Sequence, residues 1–108
     1  MEESQVLGML SALSEQTRLR MLRFLVTRGP DGAPAGEVAA AVGASSSRSS
    51  FHLSALERAG VLTSEKRSRQ VIYRANFPAL GAFLAFLLED CCAGHPEVRE
   101  CCTGAARS

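Results

Sequence analysis

"GEVAAAVGASSSRSSFHLSALERAGVL", residues 36–62, decides how this chain folds. It opens on a short apolar run in which Val38, Ala39 and Val42 share one helical face. Gly43 then offers a residue suited to a tight turn. Ser45 or Ser46 can cap a second helix that runs to Ala59 and stops at Gly60. Leu53 and Leu56, with Ser49 one turn earlier, mark its buried face. Two helices joined by a short glycine-containing turn make a helix-turn-helix.

Outward from this unit the pattern stays consistent. Beyond Gly60 the period changes: residues 61–65 and 70–75 are rich in Val, Ile, Tyr and Thr and alternate in polarity. Lys66, Arg67, Ser68 and Arg69 lie between them, which predicts a β-hairpin with a basic tip. On the other side, residues 29–34 form a Gly- and Pro-rich linker. Before it, Leu19, Leu22, Leu25 and Val26 stripe a helix over residues 15–27, with Ser14 as its cap. Val6, Leu7, Leu10 and Leu13 give a short helix ahead of that. Leu80, Phe83, Leu84, Leu87, Leu88 and Cys91 recur at spacings of three and four. They predict a last helix from residue 78 to about 92, with Asn76 as its cap. The order predicts a mainly α fold with a β-hairpin wing, a winged helix-turn-helix. Residues 1–92 form the domain and 93–108 a cysteine-containing tail.

Composition narrows the function. At 108 residues, the length fits one small domain, and a partner subunit would help so small a core. The start, Met1-Glu2-Glu3-Ser4, is acidic rather than basic and apolar, and the longest apolar run, 80–88, is too short to span a bilayer. These features predict a cytoplasmic protein with no membrane partner. No nucleophile is matched with a His base, and neither a phosphate-cradling Gly loop nor a carboxylate pair stands out, so an enzyme is not expected.

Charge divides along the chain. Arg48, Arg58, Lys66, Arg67, Arg69 and Arg74 are opposed in residues 45–74 only by Glu57 and Glu65. Such a stretch suits phosphate. The helix over 46–59 would be the recognition helix. Ser46, Ser47, Arg48, Ser50, Phe51 and Ser54 are expected at its open face or first turn. Arg48 suits guanine and Phe51 a thymine methyl. His52 is expected as a packing or phosphate residue, and Lys66, Arg67 and Arg69 as the wing's contacts. Singly, each has a plainer reading: serines cap helices, Phe51 could belong to a core, and basic tips protect sheet edges. Their ordered combination favours double-stranded DNA.

The four cysteines all lie in "EDCCAGHPEVRECC", residues 89–102. Clustered thiols in a reducing compartment point to soft-ion binding or redox chemistry. If the last helix frays at Gly94, Cys91 and Cys92 can turn toward one point, and the chain can loop back with Cys101 or Cys102. Zinc or cadmium held with His95, and oxidation or persulfide chemistry linking the two pairs, remain open.

The segments "LSALSEQTRLRMLRFL" (10–25), 36–62 and "RSRQVIYR" (67–74) resemble the ArsR/SmtB family of metal-responsive repressors. The resemblance implies a homodimer built on the first and last helices, which places Val6, Leu7, Leu10, Leu80, Phe83, Leu84 and Leu87 at the interface. It implies a repressor that binds an imperfect palindromic operator and leaves it when an effector binds. Two effector sites used in the family are absent: residues 37–43 hold no cysteine, and residues 78–88 hold no His or acid. The tail, Cys91-Cys92-Ala93-Gly94-His95-Pro96-Glu97, resembles that of arsenic-responsive members, but Val98 stands where their third thiol is expected. The resemblance therefore implies trivalent arsenic or antimony (arsenite, antimonite or methylarsenite) as effector. Its ligands would be Cys91, Cys92 and one of Cys101 and Cys102, with no catalytic cofactor.

Overall fold

Capping side chains set the helix boundaries. The structure, a computed structural model, describes residues 1–100; residues 101–108, with Cys101 and Cys102, lie outside the described residues. The first helix, α1, spans Glu3–Leu13. The second, α2, spans Gln16–Arg28, and its cap is Glu15, whose carboxylate accepts the Arg18 N–H at 2.9 Å. Ser14, the expected cap, donates its hydroxyl to the Ser11 carbonyl at 2.8 Å instead. Helix α3, Ala35–Val42, ends at Gly43, whose φ of +67° only glycine adopts without strain. Helix α4, Ser46–Arg58, starts at Ser45, whose hydroxyl accepts the Arg48 N–H at 3.3 Å.

The wing is a hairpin of β2, Leu62–Arg67, and β3, Gln70–Ala75, in register from Leu62 opposite Ala75 to Arg67 opposite Gln70. Lys66 and Arg67 thus belong to the strand, and the turn itself is Ser68 and Arg69. A third strand, β1, Ala33–Pro34, was not legible in the sequence and pairs on the far side of β3. The linker before it is pinned rather than loose. A Cβ on Gly32 would meet the Tyr73 carbonyl oxygen at 2.2 Å, and Arg74 Nε donates to the Pro30 carbonyl at 2.8 Å.

Met21, Leu25, Val38, Leu53, Leu56, Val61 and Leu62 are each no more than 1% exposed and knit α2, α3, α4 and the wing together. Each such side chain contributes about 1.5–3 kcal/mol by leaving water. The stripe on α2 is offset from expectation: Met21 and Leu25 face inward, while Leu19 and Val26 are 45% and 43% exposed. On α1 the inward set is Val6, Met9 and Ala12, and Leu7 and Leu10 point out.

Helix α5, Phe77–Ala85, is capped by Asn76, which accepts the Ala79 N–H at 3.3 Å and donates to the Gly60 carbonyl at 3.0 Å. Of this helix only Phe83 is buried. Past Ala85 the chain winds as a π-helix, Phe86–Cys91, rather than as a continuing α-helix. Cys92 N–H then bonds the Leu87 carbonyl at 3.1 Å, and Gly94 N–H the Leu88 carbonyl at 2.7 Å. Ala93 and Gly94, with φ of +53° and +63°, reverse the chain into α6, Pro96–Arg99. Arg99 ion-pairs back to Glu89.

Two of the expected interface residues are corrected here. Val6 and Phe83 are 3% and 7% exposed because they fill the protomer's own core. Leu80 and Leu87 pack against that core half-buried, and Leu7, Leu10 and Leu84 are 58%, 44% and 53% exposed. Among the described residues no helix is long and apolar enough to cross a membrane.

Candidate nucleic-acid interface and thiol site

The burial of α4 sorts its side chains. Ser49, His52, Leu53 and Leu56 face the core. Ser46, Ser47, Arg48, Ser50, Phe51 and Ser54 are exposed, the expected set except for His52. His52 is 9% exposed, and its Nδ1 accepts a hydrogen bond from Arg18 Nε at 3.0 Å. It stands three residues after Ser49 and four before Leu56 on the inward stripe, which favours the packing side of its expected role. Arginine is always a donor, so His52 Nδ1 is the acceptor of this pair. Sequence reasoning missed Arg18 because its partner lies 34 positions away.

The wing's charges are partly spent on one another. Glu65 pairs with Arg74 at 2.9 Å and Arg67 at 3.2 Å. The Arg74 hydrogen bond, then the charge of Arg67, holds the Glu65 carboxyl below the usual carboxylate range. Lys66 and Arg69 have no ion-pair partner among the described residues and remain the freer cations for phosphate. At the root of the hairpin, Ser64 donates to Glu57 at 2.6 Å and ties the wing to the end of α4.

At the other end of the molecule, Cys91 is an exposed free thiol and Cys92 a half-buried one. His95 accepts the Glu97 N–H through Nδ1 at 3.2 Å, so this nitrogen caps α6. Among the described residues no three His, Cys, Asp or Glu side chains converge as a metal site. Cys101 and Cys102 fall outside them.

A short helix closed by glycine, a serine- and arginine-bearing helix after it and then a basic hairpin make the arrangement of winged helix-turn-helix DNA-binding proteins. Comparison with known proteins agrees. Residues 13–65 match a helix-turn-helix domain family. The HTH-type transcriptional regulator YgaV of Escherichia coli (strain K12) is 31% identical over 82% of this chain and 87% of its own. An ArsR-like transcriptional regulator from Rhodococcus sp. RHA1 superposes with a TM-score of 0.68 at 28% identity, covering 78% of this chain and 76% of that one. The structure of a possible transcriptional regulator for arsenical resistance gives 0.65 at 30% identity, over 74% and 80% of the two chains. The chain belongs to the ArsR family of winged helix-turn-helix transcriptional regulators.

Proposed function

We infer that the protein is a homodimeric repressor that leaves its operator when trivalent arsenic, or its congener antimony, binds the C-terminal thiols. The observation that carries this reading is the chain reversal at Ala93 and Gly94. It returns Arg99 to Glu89, two positions before Cys91. Cys101 and Cys102 follow Arg99 by two and three positions in the sequence and lie outside the described residues. Three thiolates satisfy a trivalent, thiophilic centre. The likeness to a regulator for arsenical resistance supports the same effector.

The exposed Leu7, Leu10 and Leu84 support self-association, because terminal helices with bare apolar faces need a cover. Closing a three-sulfur site would pull on the π-helical end of the last helix, and a dimer sharing that helix would re-aim its two copies of α4. In the unliganded dimer, α4 contacts bases through Ser47, Arg48, Ser50, Phe51 and Ser54. Ser46 and the wing's Lys66, Arg67 and Arg69 hold the phosphates.

The test is fluorescence anisotropy of labelled promoter DNA with reduced protein, titrated in parallel with arsenite, methylarsenite, antimonite, zinc, cadmium and peroxide. Release by a trivalent arsenical or antimonite alone is expected. Release by zinc, cadmium or peroxide alone would overturn the effector and leave the repressor.

A further inference from the structure

Phe51 stands on the outer face of α4 with 62% of its surface in solvent. Two groups flank its ring. The Arg18 guanidinium carbon, arriving from α2, lies 5.7 Å from the ring centroid, within the range of a cation–π contact. The His52 ring meets Phe51 edge-on, 5.7 Å between centroids and 65° between planes. The same arginine donates Nε to His52 Nδ1 at 3.0 Å. One side chain of α2 thus grips two neighbouring rings of α4, one buried and one exposed. The backbone N–H of Arg18 is held by the Glu15 carboxylate, which fixes the first turn of α2 from which this side chain springs.

We propose that Arg18 is a positioning residue for base readout: it holds Phe51 in the rotamer that meets a thymine methyl in the major groove. A free phenylalanine on a helix surface samples several rotamers, and fixing it on contact would cost affinity. The Arg18 grip removes that cost before DNA arrives. The device requires His52 to stay neutral, since its Nδ1 must accept; the charged groups facing it are Arg18 and Glu15. It stands on the DNA-binding fold alone and is independent of the effector.

The test starts from an operator selected by the wild-type protein out of random duplexes. Each thymine of that operator is replaced in turn by deoxyuridine, which differs there only by the missing methyl. The wild type should lose roughly fourfold in affinity at one or two positions, the worth of one buried methyl group. Phe51→Ala and Arg18→Ala should both abolish that preference, and the double variant should be no worse than Phe51→Ala in this ratio. Nitrogen NMR of His52 should show Nδ1 unprotonated in the wild type and altered in Arg18→Ala. If Arg18→Ala fails to fold by circular dichroism, His52→Asn, which keeps an acceptor near Nδ1, should retain the preference, and His52→Leu should lose it. An unchanged thymine preference in Arg18→Ala, equal behaviour of the two His52 variants, or an operator with no methyl-sensitive position would overturn the proposal.

Discussion

The reading body and the thiol-bearing end of this protein are built on different principles. Between α2 and the wing, seven large side chains are no more than 1% exposed, and helices begin and end on dedicated caps. From Phe77 onward Phe83 alone is buried among the described residues, the helix changes pitch at Phe86, and the chain turns back through a non-glycine residue, Ala93, at positive φ. The body holds α4 and β2–β3 in one geometry. The interactions seen there among the described residues are backbone bonds, the His95 cap and the Arg99–Glu89 surface ion pair, each of which contributes little individually. On the proposed function such a division is useful: the reader stays rigid while the segment proposed to meet the effector is easy to reshape.

Four substitutions test that contrast. Leu56→Ala, in the fully buried centre of α4, should cost about 2–5 kcal/mol and come close to abolishing folding in a denaturant titration. Leu84→Glu should leave the protomer's fold intact by circular dichroism but weaken self-association by about 2 kcal/mol or more in sedimentation equilibrium; an unchanged dimer would remove α5 from the interface. Cys91→Ser should alter neither melting temperature nor DNA affinity, yet erase the response to arsenite, a coupling of roughly 1–3 kcal/mol. Loss of DNA binding in that variant would mean the end of the chain is structural after all.

The smallest effect concerns Glu15. Its carboxylate accepts the Arg18 N–H, and that hydrogen bond holds its pKa below the usual value. A depressed folded-state pKa contributes stability that is present above the unfolded value and is lost as pH falls through the folded one. Glu15→Gln should therefore melt slightly below the wild type at neutral pH, with the gap closing in acid. A gap that persists in acid would assign the loss to side-chain packing rather than charge.

The sequence was most legible where local chemistry decides structure. Gly43 at positive φ and Ser45 and Asn76 as caps follow from short-range rules, whereas the alternation expected of β3 does not appear in its burial, where Ile72 and Ala75 are the buried residues. It was less legible where a distant partner decides. Strand β1 exists because Ala33 and Pro34 pair with Tyr73 and Ile72, which no local pattern announces. Val6 and Phe83 read as interface residues because an apolar stripe does not say which part faces its own core. His52 was left between packing and phosphate until Arg18 supplied its partner. The exposed half of the reading helix was visible from spacing alone, since Leu53 and Leu56 fixed the opposite face. Of the thiol pairs, Cys91 closes the π-helical stretch after α5 and Cys92 follows it, rather than ending one continuous helix as the sequence suggested, and Cys101 and Cys102 lie outside the described residues.

The π-helical stretch Phe86–Cys91 has a consequence for phase. A helix bonding each N–H five residues back holds one residue more in its loop than an α-helix does. One residue is worth about 100° of rotation. The side chains at the end of the stretch are displaced by an angle of that order from where Leu80 and Leu84 would place them by counting in threes and fours. Cys91 and Cys92 therefore belong to a different meridian of the helix from the leucines upstream. A single-residue deletion within residues 86–88 would restore the α-helical count and swing both thiols around the axis while leaving their immediate sequence neighbours unchanged.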